Sequence, residues 1–270
     1  MNAPHKAVIL ARGLGSRMRK EAEGVSLSAD QAAAAEQGVK AMISVGRPFL
    51  DHVISALADA GFTDICLVIG PEHDMIRDYY NSVPKQRVTI SFAVQEEPLG
   101  TANAVLAAEE FAGADRVLVI NSDNYYPAEA LRLLHDVPGS ALVGFDRQAM
   151  LAQSNIPADR IRAFALATAD EQGNLAELVE KPDADTIARL GGNAVVSMNC
   201  WLCSPAIFAA AKSIAPSARG EYEITDAVRA AIDAGDPYRV VHAKVGVLDM
   251  SNRGDIASVS EALGDAEARL

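Results

Sequence analysis

Short apolar runs alternate with longer amphipathic runs through the first half of the chain. The apolar runs KAVILA, DICLVIG and DRVLVINSD are typical of strands with both faces buried, and each is followed by a stretch whose apolar residues recur at helical spacing. A strand followed by a helix at this spacing implies right-handed crossovers between parallel strands. The first half therefore predicts a parallel sheet with helices on both faces.

From residue 161 the pattern changes to that of antiparallel strands. Residues 161–183 contain two strand-like runs around a Gly-Asn turn, which predicts a hairpin. The remaining predicted elements are a strand at 194–203, a helix from Pro205, a helix in EITDAVRAAIDAG, a strand over 238–250 and a C-terminal helix. Because no Pro-, Gly- or Ser-rich linker separates the halves, we expect one α/β domain. Its sheet is expected to be Rossmann-like, mixed and mostly parallel, with an antiparallel subregion.

One segment, residues 19–40, fits this pattern poorly. It is rich in Ala and Glu, carries a helical run at 29–37, and is long for a connection between a turn and the next core helix. Two interpretations stay open for it, an insertion on the surface and a lid over the functional site.

Composition places the chain among globular proteins and limits its partners. Half of its 270 residues are hydrophobic and 22% are charged, which is enough for a large core. The net charge of −12 argues against a nucleic-acid partner, since affinity for a phosphate backbone comes from clustered Lys and Arg. No run approaches the ~18–20 apolar residues of a membrane span, and the N-terminus lacks the order of a signal peptide. We expect a cytoplasmic protein without a membrane partner, in which Cys66, Cys200 and Cys203 are reduced packing residues.

The strongest chemical signal is the stretch VILARGLGSRM at residues 8–18. An apolar strand leads into a turn at Gly13 and Gly15, where backbone N–H groups can approach an anion closely. The turn is not a Walker P-loop, because no Lys-Ser or Lys-Thr follows its last glycine. It is not a dinucleotide-binding loop either, because Met18 stands where a third small residue is needed. A strand, a glycine turn and then Ser-Arg indicate a site that holds a triphosphate with backbone amides and a fixed cation.

This stretch resembles the opening motif of the sugar-1-phosphate nucleotidylyltransferases, or NDP-sugar pyrophosphorylases, and the resemblance extends over roughly residues 6–260. The family's Leu-Ala-Gly-Gly-x-Gly-Thr/Ser-Arg-Leu/Met matches LARGLGSRM, and its later lysine and Val-Gly/Ala-x-Pro-Leu-Leu match KAMISVGRPFL. The resemblance implies that Arg17 and Lys40 hold the triphosphate. It also implies that the turn contacts the nucleotide through Leu10, Ala11, Arg12, Gly13, Gly15 and Ser16. Arg12 replaces a glycine of the motif, and the lysine comes about a dozen residues late, so Lys20 stays a rival of Lys40.

Further stretches follow in the family's order and imply a base site and a metal site. VQEEPLGTANAV matches the segment that meets the base, here with Gln95, Gly100 and Thr101, and an amide side chain can donate and accept at once. Asp123 and Asp249 each end an apolar strand and correspond to the family's metal ligands. Two carboxylates and phosphate oxygens are ligands that Mg²⁺ prefers. The family's Asp-x-Gly-Thr is Asp-Met-Ser-Asn after the second of them.

The rest of the resemblance implies a site for the acceptor. Glu180 and Lys181 in LVEKPD correspond to the family's contacts with sugar hydroxyls and sugar phosphate. Asn124, and Asn199 and Trp201 in VVSMNCWLC, are further candidate contacts, while GEYEITD at 220–226 opens a helix. The resemblance also divides the single domain. The nucleotide-binding half covers about 6–146, the sugar-phosphate half about 147–253 and the C-terminal helix 254–270.

The implied reaction is in-line attack of a sugar-1-phosphate on the α-phosphate of a nucleoside triphosphate, assisted by Mg²⁺, with release of pyrophosphate. The attacking phosphate is already an anion, so the site must neutralise and align two anions rather than supply a general base. Gln95 favours uridine or thymidine triphosphate. Two alternatives stay open, a noncatalytic nucleotide- or sugar-phosphate-binding regulator and a GT-A-type glycosyltransferase. A homo-oligomer is compatible with the resemblance, although no motif fixes an interface.

Overall fold

The computed structural model describes residues 3–13, 15–20 and 27–270. Its strands are β1 (Lys6–Leu10), β2 (Ser44–Val45), β3 (Arg47–Pro48), β4 (Asp64–Ile69), β5 (Thr89–Val94), β6 (Val117–Asn121), β7 (Asn124–Tyr125), β8 (Ser140–Phe145), β9 (Leu166–Ala169), β10 (Leu175–Val179), β11 (Val195–Cys203), β12 (Tyr238–Ala243) and β13 (Leu248–Asp249). Its α-helices are α1 (Ser16–Arg19), α2 (Ala29–Gln37), α3 (Phe49–Asp59), α4 (Asp74–Ser82), α5 (Thr101–Ala107), α6 (Glu109–Ala112), α7 (Ala128–Arg132), α8 (Arg147–Gln153), α9 (Ala158–Arg162), α10 (Ala184–Leu190), α11 (Ala206–Ser213), α12 (Ile224–Asp233) and α13 (Asp255–Leu263).

The predicted mixed sheet is confirmed. Strands β5, β4, β1 and β6 lie side by side and run parallel, so their carboxyl ends meet at one edge. β11 joins β6 in the antiparallel sense and also pairs with β8 and β9, and β12 extends the sheet by pairing parallel to β8. Ligands of α/β proteins gather at the carboxyl ends of parallel strands, so this edge is where a site is expected.

Helices cover both faces of the sheet because successive side chains of each strand point to opposite sides. Ala7 and Ile9 of β1 pack in the apolar cluster that holds Phe49 of α3. Val8, between them, packs in the cluster that holds Val105 of α5 and the buried residues of α11 and α12. The all-apolar strands of the first half thus have the two buried faces that their sequence indicates.

Most predictions for the second half are confirmed, and one is wrong. β9 and β10 form the expected antiparallel hairpin, and β11 and α11 lie where the sequence puts them. The single strand predicted over 238–250 is instead two short strands in different sheets, since β12 pairs with β8 and β13 with β7. Between them the chain passes close to α8, where a Cβ on Gly246 would lie 2.4 Å from the carbonyl carbon of Gln153.

The segment at 19–40 contributes a helix that packs into the fold. α2 begins with a capping box, in which Ser28 and Gln31 each accept from the other's backbone N–H, and it buries Ala34 and Ala35. α2 therefore packs against the core along one side. Residues 21–26 lie outside the described residues, and both interpretations of the segment 19–40, a surface insertion and a lid, stay predictions.

The remaining bulk predictions concern the cysteines and the membrane. All three cysteines are buried and free, as expected, and burial raises the pKa of the Cys66 thiol to about 11. In the ranges that the structure describes, no helix combines the length and apolar character that crossing a bilayer requires. The division of the domain at about residue 146 stays a prediction.

Candidate functional site

A cleft of about 340 Å³ opens at the edge where the parallel strands end. The glycine turn after β1, the segment after β5 and the end of β6 contribute its walls. Nine residues that the sequence predicts for the site line this cleft, namely Leu10, Ala11, Arg12, Gly13, Lys40, Gln95, Gly100, Thr101 and Asp123. Residues that sequence reasoning missed also line it, among them Val39, Pro98, Asn121, Ser122 and Glu221. The cleft therefore joins the predicted triphosphate and base segments in one site.

Lys40 and Asp123 form the charged centre of the cleft. The Nζ atom of Lys40 donates to Oδ2 of Asp123 at 2.7 Å, and both side chains are largely shielded from solvent. Lys40 reaches this position from a 3₁₀ turn that follows α2. Lys20 is exposed and does not line the cleft, so the geometry favours Lys40 over its rival. Arg17 is also exposed and outside the lining, so the structure does not bring this predicted catalytic cation to the cleft.

The glycine turn is shaped by its contact with the end of α2. Gly15 has a φ of +58°, and a Cβ on it would lie 2.1 Å from the backbone oxygen of Gly38. Only glycine fits such an approach. Nε of Arg253 donates to the backbone oxygen of Met18 at 2.9 Å and holds the short helix after the turn from the other side. Gly15 and Ser16 do not line the cleft, and their nucleotide contacts stay predictions.

Arg12, the departure from the family motif, faces a carboxylate that the sequence did not single out. Its Nε and Nη2 lie 3.4 and 3.5 Å from the carboxylate oxygens of Glu72, which follows β4. A Cβ on Gly70 would come within 2.3 Å of that carboxylate, so the glycine leaves room for the pair. Arg12 therefore lines the cleft, and the carboxylate of Glu72 balances its charge.

Asp249 lies at the end of β13, in register with Asn124 of β7. It is only 4% exposed and is held by three donors. Nδ2 of Asn124 and Oγ of Ser251 donate to its Oδ1 at 2.9 and 3.0 Å, and Arg160 donates to its Oδ2 while also binding Asp255 at 2.9 Å. Asn124 is thus buried and used to position Asp249, so its predicted contact with the sugar phosphate does not fit the structure.

The environment of Asp249 fits one half of a metal site. Burial, and then repulsion from Asp123, raises the pKa of Asp249 to about 6. The backbone N–H of Met250, next to Asp249, donates to the backbone oxygen of Asp123 at 2.8 Å, so the two aspartates lie on adjacent segments. A divalent cation between them would relieve this repulsion. The described residues contain no group of three or more Asp, Glu, His and Cys side chains that could hold a metal. Two carboxylates still suit Mg²⁺, because this ion usually keeps several waters and phosphate oxygens in its shell.

Two residues predicted for the acceptor site have a strained backbone. In the part of the chain that the structure describes, the non-glycine residues with positive φ are Lys181 at 45° and Asn199 at 54°. Such conformations cost about 1 kcal/mol or more and cluster at functional sites. The sequence motifs and the backbone conformation thus point to the same two residues.

Asn199 owes its position to an irregularity in β11. On one side of this strand, Val196 pairs with β9 and Trp201 with β6, and the pairing with β8 shifts register between Ser197 and Trp201. Bulges of this kind re-aim a side chain. Trp201 itself is fully buried, and its Nε1 donates to Oδ1 of Asn199 at 3.3 Å. The predicted sugar contact of Trp201 therefore does not fit the structure, in which it supports Asn199 instead.

Glu180 is exposed to solvent and lies beside a set of charges. Partial desolvation of its carboxyl group, followed by the nearby Glu223 carboxylate, raises its pKa, while Arg219 and Arg229 oppose the shift. Lys181 is exposed, and no ion pair to it occurs among the described residues. The hairpin end thus offers an exposed carboxylate next to a free, exposed cation.

The GEYEITD segment supports the turn that precedes α5. The backbone N–H of Tyr222 donates to Leu99, its carbonyl accepts from Ala102, and Ile224 N–H donates to the hydroxyl of Thr101, each at 2.8 Å. The helix start that the sequence predicts here is confirmed, and the N-cap of this helix is Glu223, which makes no side-chain cap bond. The Thr101 oxygen accepts this bond, so its O–H remains available to donate to a nucleotide.

Gly100→Ala is expected to disrupt this turn. A Cβ at Gly100, where φ is +115°, would lie 2.5 Å from the backbone oxygen of Tyr222. Strain and overpacking together should lower the free energy of unfolding by about 3 kcal/mol and abolish nucleotide binding. Gly235→Ala, with φ of +96° and no atom near its Cβ, is the control for strain alone and should cost about 1 kcal/mol. Equal losses in urea unfolding of the two variants would contradict the close contact.

Comparisons with known proteins agree on one family. A family model described as nucleotidyl transferase matches residues 6–263. A glucose-1-phosphate thymidylyltransferase of Streptomyces griseus is 30% identical over 87% of this chain and 59% of its own length. A UTP–glucose-1-phosphate uridylyltransferase, AglF, of Haloferax volcanii is 29% identical over 85% of this chain and 84% of its own length. The fold is that of a solved UDP-glucose pyrophosphorylase complexed with UDP-glucose, with a TM-score of 0.74 and 17% identity over 98% of this chain and all of the other. The chain thus spans less than two thirds of the Streptomyces relative.

Proposed function

Because the chain belongs to the nucleotidyl transferase family, we propose that it transfers a nucleoside monophosphate from a nucleoside triphosphate to a sugar-1-phosphate and releases pyrophosphate. The observation that carries the proposal is the meeting of Lys40, Asp123 and Gln95 in one cleft with the glycine turn. Each of these comes from a separate motif of the sequence. The names of the two relatives support glucose 1-phosphate, or a similar hexose 1-phosphate, as the acceptor class.

The chemistry requires two anions to touch. The attacking oxygen belongs to a phosphate that is already ionised, so the catalyst gains most by neutralising charge and holding the reactants in line. Lys40, which is shielded in the cleft, would stabilise charge on the α-phosphate. Bound between Asp123 and Asp249, Mg²⁺ would add positive charge at the same phosphate. Asn124, Ser251 and Arg160 keep the Asp249 carboxylate in a fixed orientation for that role.

The acceptor would bind at the end of the hairpin. Lys181 is suited to the sugar phosphate because its ammonium is free, and Glu180 to sugar hydroxyls because a carboxylate accepts hydrogen bonds from them. The positive φ of Lys181 and Asn199 supports this assignment, since strained backbone persists where geometry serves a ligand. Association into a homo-oligomer stays a prediction.

The test is release of pyrophosphate from a panel of nucleoside triphosphates and sugar-1-phosphates in the presence of Mg²⁺. Formation of an NDP-sugar in step with pyrophosphate is the expected result. Nucleotide binding without turnover by any pair would favour a noncatalytic regulator. Transfer of a sugar from an NDP-sugar to another acceptor, with release of the nucleoside diphosphate, would favour a glycosyltransferase.

Lys181→Ala should chiefly weaken use of the sugar phosphate. Losing one charge-assisted contact is expected to raise the KM for the sugar-1-phosphate about ten- to a hundredfold, with little change in the KM for the nucleotide. Lys244→Ala removes an equally exposed lysine and serves as the control. Steady-state pyrophosphate release with either substrate varied distinguishes the two effects. A change confined to the KM of the nucleotide would make the acceptor assignment wrong.

A further inference from the structure

The side-chain amide of Gln95 is held inside the wall of the cleft. Its Nε2 donates to the backbone oxygen of Gly100 at 3.1 Å and to Oδ1 of Asn103, in α5, at 2.8 Å. Gln95 is only 6% exposed, and its own backbone N–H is bonded to Ile69. The side chain therefore has little freedom to turn.

These contacts fix which end of the amide faces the cleft. A backbone carbonyl can only accept, so the Gln95 atom beside Gly100 must be the nitrogen. Both hydrogens of that nitrogen are then used within the protein. No donor reaches Oε1 among the described residues, and Oε1 is not one of the sealed, unbonded polar atoms found there. Gln95 thus presents an acceptor to the cleft and no donor. The sequence alone left open that its amide would both donate to and accept from the base.

We infer that Asn103 is a positioning residue that locks the Gln95 amide with its oxygen toward the nucleotide, so that the site selects bases whose ring edge carries an N–H. Uracil and thymine have this hydrogen on N3 and guanine has it on N1. Cytosine and adenine have a lone pair at the corresponding ring nitrogen, which repels a carbonyl oxygen. This inference rests on the proposed function, because it assumes that the cleft binds a nucleoside triphosphate.

Asn103 contributes by holding the second hydrogen. With Gly100 alone, Nε2 keeps one unused hydrogen, and a base with an acceptor at its edge can attract that hydrogen by turning the amide. With Asn103 in place, turning the amide would break two bonds and bring Oε1 against two acceptors. An unpaired buried polar group and a lost hydrogen bond are both costly. Because Asn103 keeps the amide in one orientation, a base without an N–H at this edge binds less tightly.

The test measures equilibrium dissociation constants for UTP, dTTP, GTP, CTP and ATP without any sugar phosphate. The wild-type chain is expected to bind at least one of UTP, dTTP and GTP about tenfold or more tightly than CTP and ATP. Asn103→Leu keeps the size of the side chain but removes the acceptor, and should reduce this preference about three- to tenfold. Asn103→Asp keeps an acceptor oxygen and should retain the preference. The UTP and GTP arms distinguish a pyrimidine site from a guanine site.

Three results would overturn the inference. The first is tighter binding of CTP or ATP by the wild-type chain, and the second is a base preference in Asn103→Leu equal to that of the wild-type chain. The third is an equal loss of affinity for all five nucleotides in Asn103→Leu with an unchanged unfolding temperature. Pyrophosphate release, measured in parallel, distinguishes failure of this inference from failure of the proposed function. Transfer without base preference defeats the inference alone, whereas no binding of any nucleotide defeats both.

Discussion

Asp123→Asn is expected to reduce turnover about a hundred- to a thousandfold while the chain stays folded, the range seen when one preorganised charge-stabilising group is lost. The change keeps the shape of the side chain but removes the charge that faces Lys40 at 2.7 Å. It also removes one of the two carboxylates proposed to hold Mg²⁺. The loss should therefore appear in kcat for pyrophosphate release, and Mn²⁺ binding measured by magnetic resonance should weaken in the same variant.

Asp136→Asn is the matched control, because Asp136 is exposed and does not line the cleft. It changes the net charge equally and should leave kcat within about twofold, as surface substitutions usually do. Wild-type kcat in Asp123→Asn would remove this carboxylate from the mechanism. Weakened Mn²⁺ binding in both variants would point to net charge rather than to a site.

Lys40→Met is expected to lower kcat about a hundredfold or more. The methionine fills a similar space, so the main loss is the cation that would stabilise charge on the α-phosphate in a shielded cleft. Lys20→Met is the informative comparison, because Lys20 is the other lysine that the sequence allows for this role. It should stay within about twofold of the wild-type chain, since it is exposed and outside the cleft lining.

The pair of lysine variants gives a clear outcome either way. If Lys20→Met loses turnover and Lys40→Met does not, the triphosphate lysine is Lys20, and the contact between Lys40 and Asp123 is only structural. The measurement is kcat at saturating concentrations of both substrates, with thermal unfolding of each variant to exclude misfolding.

Much of the sheet could be predicted, because a strand that is buried on both faces has a continuous run of apolar residues in its sequence. β1, β4 and β6 are continuous apolar runs, and each is buried as such runs require. The break at 244–247 could not be predicted, because the apolar pattern continues through it. Only the choice of partners, β8 for β12 and β7 for β13, divides the run. A tertiary preference of this kind has no local signal.

The site could be predicted where a polar side chain comes just after an apolar strand and belongs to a recognisable motif. Asp123 and Gln95 each stand directly beyond an apolar strand, and the parallel topology then brings them together. Glu72 and Arg160 were missed because they reach their partners across long stretches of chain, and charged residues of this kind are usually solvated. Trp201 was misassigned because a residue type does not reveal whether its ring is buried.

The continuity of β11 limits how the molecule can respond to its substrates. One edge of this strand is shared between β9, next to the proposed acceptor site, and β6, which ends at the cleft. A hinge motion that separated these two regions would have to break backbone pairing in the buried centre of the sheet. We therefore expect any rearrangement on substrate binding to occur in the loops at the rim of the sheet, with β6, β11 and β9 kept in register.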